Sequence, residues 1–243
     1  MSGWTAKRFW QDATVEPCDG GFTVRLDRRL VKTPAKAALV VPTHAMAQAI
    51  ATEWQCQQGV IKPDTMPVTR SANSAIDKIT PQFDEVAALI AAYGASDLLC
   101  YRATGPAGLV ARQALAWDPM LDWATQALEA PLVATAGVMH TPQPAESLAR
   151  LVARVHACTP FQLAALHDLV AISGSLVLGF AVTSGFAKPE TIWNLSRIDE
   201  QWQAEQWGDD HAAAESAGLR RAALLHAERF YRLCEAPSQG LCG

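Results

Sequence analysis

The chain has 243 residues, half of them apolar, with 20 Lys or Arg against 24 Asp or Glu and a formal net charge of −4. That length holds one large domain or two small ones, with enough apolar residues to bury a substantial core. The acidic balance excludes a broad nucleic-acid surface, which needs a basic patch. The early basic residues Arg25, Arg28, Arg29, Lys32 and Lys36 are spaced like the exposed side of strands, unlike a phosphate track.

Up to Val41 the chain reads as strands. Phe22, Val24 and Leu26 alternate with Thr23, Arg25 and Asp27, the period-two pattern of a half-buried strand. Asp27-Arg28-Arg29 suits a hairpin turn, Leu30 to Thr33 returns until Pro34, and Leu39 to Val41 forms a third short strand. Helices follow. Thr43 caps a helix with the stripe Met46, Ala47, Ile50 and Trp54, closed by Gly59. Val60 to Thr69 reads as extended, broken by Pro63 and Pro67. Thr80-Pro81 opens a helix striped by Phe83, Val86, Ile90 and Tyr93, and Asp118-Pro119 repeats the cap-proline device. Leu148, Leu151, Val152 and Val155 mark another amphipathic helix, and a last helix carries Leu219, Ala223, His226, Phe230 and Leu233 on one face.

The run Leu169 to Phe186, opened by Thr159-Pro160, is the membrane candidate, but its three glycines and three serines and the absence of a close basic cluster favour a buried central helix. No stable membrane insertion is expected. Strands first and helices afterwards predict an α+β fold: a small N-terminal β-rich α+β domain over residues 1–80, then an all-α helical C-terminal domain over 81–243.

Catalytic signals are sparse. There is no GxGxxG, P-loop or GxSxG pattern, and no HExxH. The six cysteines, Cys18, Cys56, Cys100, Cys158, Cys234 and Cys242, form no CxxC, which argues against a zinc ribbon and for free thiols in a reducing cytoplasm. Trp4, Lys7, Arg8 and Trp10 break any secretory leader, and no Arg-rich presequence precedes them. Cys100 with His167 is the best nucleophile and base for a hydrolase or transferase, although the apolar setting of Cys100 opposes thiolate formation. His167-Asp168 and Asp209-Asp210-His211 suit a hydrogen-bonded histidine and an exposed turn better than metal sites.

The most informative segment runs from Asp199 to Asp210, with two tryptophans and five acids, and no Lys or Arg occurs between Ile198 and Leu219. Aromatic anchors beside selective charges suit a protein-binding surface. A solvated acidic helix whose tryptophans plug the core fits the same residues. The residues alone support an unassigned protein-binding module.

Several blocks together resemble a known family: Lys7-Arg8-Phe9-Trp10, Gly20-Gly21-Phe22, Val31 to Lys36, Ala49 to Trp54, Ser96 to Ala103, Trp117-Asp118-Pro119, Gly174 to Gly179, and the acidic Trp segment. They are similar to the assembly chaperone of the F-type ATP synthase that binds the free alpha subunit, found in mitochondria and alphaproteobacteria. The resemblance spans Lys7 to about Cys234 in order. It implies a non-enzymatic protein that keeps the unassembled alpha subunit soluble until the beta subunit replaces it. It implies no cofactor or metal, a chaperone monomeric when free, and a cytoplasmic or mitochondrial-matrix location. The implied contact set is Asp199, Glu200, Gln203, Glu205, Trp207 and Asp210. Two positions depart from the family pattern: Arg28 stands where the hairpin usually has Gly, and Ala212 where an acid is usual. Asp97 and Arg102 are expected to pair with each other.

Overall fold

The alternation around Val24 builds the sheet. In the computed structural model, which describes residues 7–208 and 211–235, β2 (Gly21–Leu26) buries Val24 and Leu26. β1 (Ala13–Cys18) runs antiparallel beside it, from Ala13 opposite Leu26 to Cys18 opposite Gly21. The sequence reading missed β1, whose Glu16 and Pro17 blur its alternation. Leu26 opposite Arg29 leaves Asp27-Arg28 as a two-residue turn into β3 (Arg29–Leu30). The left-handed φ of 52° falls on Asp27, a residue type that tolerates it. Its carboxylate accepts the backbone N–H groups of Gln11 and Asp12 at 3.1 and 2.9 Å. Arg28 therefore replaces the family glycine at a position that does not carry the left-handed φ.

Leu39–Val41 forms no third strand, only a bridge of Val41 to Phe22 with N···O distances of 2.8 and 2.9 Å. That approach requires Gly21, because a Cβ there would lie 2.3 Å from the Val41 carbonyl oxygen. α1 (His44–Gln55) is capped by Thr43, whose hydroxyl accepts from Met46 N at 3.1 Å, and it buries Met46, Ala47, Ile50 and Ala51 against β1 and β2. Trp54, expected in the core, is half-buried, edge-on to the buried Trp10 at 5.3 Å. Glu53 in turn caps α2 (Pro67–Ser74): its carboxylate accepts from Val68 N, Thr69 N and the Thr69 hydroxyl at 2.7–2.8 Å.

Two expectations that rest on prolines fail here. Pro67 starts α2 instead of breaking an extended run. Thr80 is helical: its N–H and hydroxyl both donate to the Ala75 carbonyl across a wide π turn at Ala75–Ile79, which accommodates Pro81 and its missing N–H. α3 (Phe83–Ala91) then buries Ala87, Ile90 and Ala91.

The described residues divide into two compact units, one of residues 7–82, 160–164 and 229–235, the other of 83–159, 165–208 and 211–228. In the second, β4 (Tyr101–Arg102) pairs in parallel with β5 (Thr135–Ala136), on either side of α4 (Ala107–Ala127) in sequence. Pro119 lies inside α4, so Asp118 is no cap. The carbonyl that Pro119 leaves without a donor belongs to Leu115, which is exposed, and water can satisfy it. α5 (Ala145–His156) buries Ser147, Leu151 and Val155.

The apolar run Leu169 to Phe186 is not one helix. α6 (Pro160–Ser173) stops at Gly174, φ 73°, and Ser175 caps α7 (Leu176–Thr183) through a 3.0 Å bond from Leu178 N. No helix of the described residues is long and apolar enough to cross a membrane. α8 (Pro189–Leu195), α9 (Ile198–Trp207) and α10 (His211–Cys234) complete a fold that is α+β, a sheet-bearing N-terminal part followed by helices. The last helix corrects its expected face: Leu219 is 71% exposed and Ala223 is exposed, while Leu224, Ala227 and Phe230 are buried. Alanines surround this helix from Ala212 to Ala223, so its apolar periodicity marks no single face.

Candidate partner-binding face

Asp97 is fully buried at the start of α7. Its carboxylate accepts from Leu99 N at 3.1 Å and Val177 N at 3.0 Å. Burial raises its pKa from 3.8, while the Ser175 hydroxyl and backbone N–H donors pull the other way. The expected pairing with Arg102 is absent: Arg102 lies 2.8 Å from Asp118 and stacks over the buried Trp117. Backbone donors at the helix start already serve Asp97, so it has no need of a cation.

Cys100 is also buried, and desolvation pushes its thiol up to about 12, with Asp97 adding to the rise. Such a thiol holds almost no thiolate at neutral pH. His167 is bonded to its own neighbour Asp168 at 3.0 Å, which raises its pKa. Cys100 therefore lacks the activation that a nucleophile needs. Among the described residues no cluster of His, Cys, Asp or Glu could hold a metal ion.

The acidic Trp segment is different. Asp199 and Glu200 occupy the first turn of α9, where carboxylates favour the positive end of the helix dipole. Gly208, φ 91°, ends the helix, its N–H donating to Ala204 O at 2.8 Å, and leaves Trp207 in the last turn. Spacings of three and four residues divide the helix into two stripes.

The first stripe is Asp199, Trp202 and Glu205, and it faces α4. Asp199 accepts from the Gln113 amide at 2.6 Å. Glu205 accepts both guanidinium nitrogens of Arg112, at 2.8 and 2.7 Å, and this pairing lowers the Glu205 pKa and raises that of Arg112. The same guanidinium lies 4.9 Å from the Trp202 ring centre, and that ring fills the space where Gly108 would carry a Cβ, 2.7 Å from Trp202 Cη2.

The second stripe is Glu200, Gln203 and Trp207, all exposed, with Trp207 at 79%. Glu200 has a single long contact to Arg197 at 3.4 Å. The structure thus brings the expected contact residues onto one helix but in two stripes, of which the first is engaged by α4. Asp210 lies outside the described residues, and Ala212 is exposed at the start of α10. Sequence reasoning missed Arg112 and Gln113. The available signal was one Arg in a run, Ala103 to Trp117, with no other charge, opposite a segment that has no cation of its own.

Residues 7–125 match the family described as ATP12 chaperone protein. The chain is 24% identical over 214 residues to the mitochondrial protein atp12 of Schizosaccharomyces pombe, covering 83% of this chain and 74% of that protein. It is 51% identical to Atp12 from Paracoccus denitrificans, whose crystal structure superposes with a TM-score of 0.93 over 95% of this chain and 99% of that one. A point mutant of the P. denitrificans protein is similar at 50% identity and a TM-score of 0.94, over 96% of this chain and all (100%) of that one.

Proposed function

Because this chain belongs to the ATP12 chaperone family, we propose that it is an assembly chaperone of the F-type ATP synthase that binds the unassembled alpha subunit until the beta subunit takes its place. A free subunit exposes the apolar surface meant for its neighbour, and such patches aggregate. A chaperone that covers the patch must present an apolar anchor and hold it reversibly. The observation that carries this reading is α9, which exposes Trp207 beside carboxylates in a segment without Lys or Arg. The aromatic ring supplies contact area, and the carboxylates select and orient a cationic partner surface. The residues that carry binding lie among Asp199, Glu200, Gln203, Glu205, Trp207 and Asp210. The chaperone acts as a monomer when free, without a cofactor, in a bacterial cytoplasm or a mitochondrial matrix.

The test is to express the ATP synthase alpha subunit without beta, with and without this protein, and to measure soluble alpha and its co-purification. The expected result is a rise in soluble alpha, captured by this chain and released when beta is added. Soluble alpha at micromolar concentration that this chain does not capture would overturn the reading.

A further inference from the structure

We propose that Arg112 and Gln113 are positioning residues, which fix the Asp199–Trp202–Glu205 stripe of α9 to α4 so that, of the residues of α9, Glu200, Gln203 and Trp207 meet the partner. This rests on the chaperone reading and divides its contact set by role. The surface so presented is an apolar ring flanked by a carboxylate and an amide, and it fits an apolar patch that carries a Lys or Arg.

Three contacts run from the first turn of α9 to its last, and each leaves its α9 residue engaged. Gln113 is buried, and its amide oxygen accepts from Ala103 N at 2.8 Å. That bond forces the amide nitrogen toward Asp199, 2.6 Å away, so the pair has one orientation. Trp202 lies over the bare backbone of Gly108, where any side chain would displace the ring. Arg112 covers Trp202 and holds both Glu205 oxygens in a fork. A partner cation reaching Glu205 would have to displace a bidentate, ring-stacked guanidinium. One reaching Glu200 displaces a single contact of 3.4 Å. An ion pair this exposed contributes little to stability, so the direction of α9 rests on the brace as a whole, with the buried Gln113 and the Trp202 ring over Gly108 beside Arg112.

The test uses the full chain and three variants, with two readouts: affinity for isolated alpha subunit, and hydrogen exchange of the α9 amides in the free protein. Gly108→Val touches no charged or outward residue. It is expected to speed α9 exchange and to weaken binding about tenfold or more, the scale of a lost hot spot. Glu205→Gln keeps an acceptor for Arg112 and removes the charge; it is expected to bind within about threefold of the natural chain, below the tenfold that marks a direct contact. Trp207→Ala is expected to weaken binding about tenfold or more with unchanged exchange.

Glu205→Gln losing as much affinity as Trp207→Ala would overturn the proposal, since Glu205 would then touch the partner. So would natural affinity in Gly108→Val with loosened α9, or no change of exchange in that variant. If the natural chain does not bind alpha at all, the chaperone reading fails separately, while the exchange data still judge the brace.

Discussion

α7 and α9 are helices of similar length, 8 and 10 residues, in the same compact unit, and they differ in almost every other respect. Every residue of α7 is buried, whereas α9 buries only Ile198. Both are held by polar side chains from earlier in the chain, Asp97 at the start of α7, and Gln113 and Arg112 along α9. Around α7 those bonds replace water for groups that are buried, so losing a partner is costly. Along α9 they orient a helix that stays wet. The same chemistry therefore builds the core at one helix and aims a surface at the other.

The largest expected effect breaks the core side of this contrast. Leu176 is fully buried at the start of α7, and Leu176→Ala should cost about 2–5 kcal/mol of unfolding free energy through lost burial and the cavity left behind. A denaturant titration reads this directly. Trp207→Ala in α9, at an exposed position, should leave the unfolding curve in place, and a comparable loss there would erase the distinction.

A smaller effect sharpens it. The folded state holds the Asp97 proton more tightly than the unfolded chain, because burial raises that pKa above 3.8. Proton linkage then makes the Asp97 contribution greatest below 3.8 and decreasing as pH rises through the raised folded value. The stability of the natural chain minus that of Asp97→Asn should follow this decline in urea melts across pH. Glu205 has the opposite sign: Arg112 lowers its pKa below 4.5, so its favourable contribution is present above 4.5 and fades as pH falls through the lowered value. A difference for Asp97→Asn that grows with pH would contradict the burial account.

Much of the fold was legible where a local pattern had one structural solution. Thr43 as a cap and the burial of Val24 and Leu26 each read correctly because the residues themselves supply the hydrogen bond or the buried face, whereas α5 buries Leu151 and Val155 of its expected stripe, leaves Leu148 part-buried and exposes Val152. The proline signals misled where the neighbouring backbone overrode them: a π turn absorbs Pro81, and α4 carries Pro119 in its interior one turn after the exposed Leu115. Leu169 to Phe186 read as one buried helix because hydropathy is blind to the left-handed backbone at Gly174. On α9 the ambiguity was intrinsic. Positions 199, 202 and 205 and positions 200, 203 and 207 each carry acid and tryptophan, so composition could not tell the fixed stripe from the presented one. The answer lies in Gly108, Arg112 and Gln113, 86 residues or more before their partners, and only the folded chain brings them together.

The central claim is that the outward stripe of α9 meets the alpha subunit. A photoreactive amino acid in place of Gln203 would report it most directly, with the same group in place of the exposed Thr52 of α1 as the control. Irradiation of the complex with alpha should give a covalent adduct from position 203 and none from position 52. A complex that forms normally yet yields no adduct from position 203 would contradict the account.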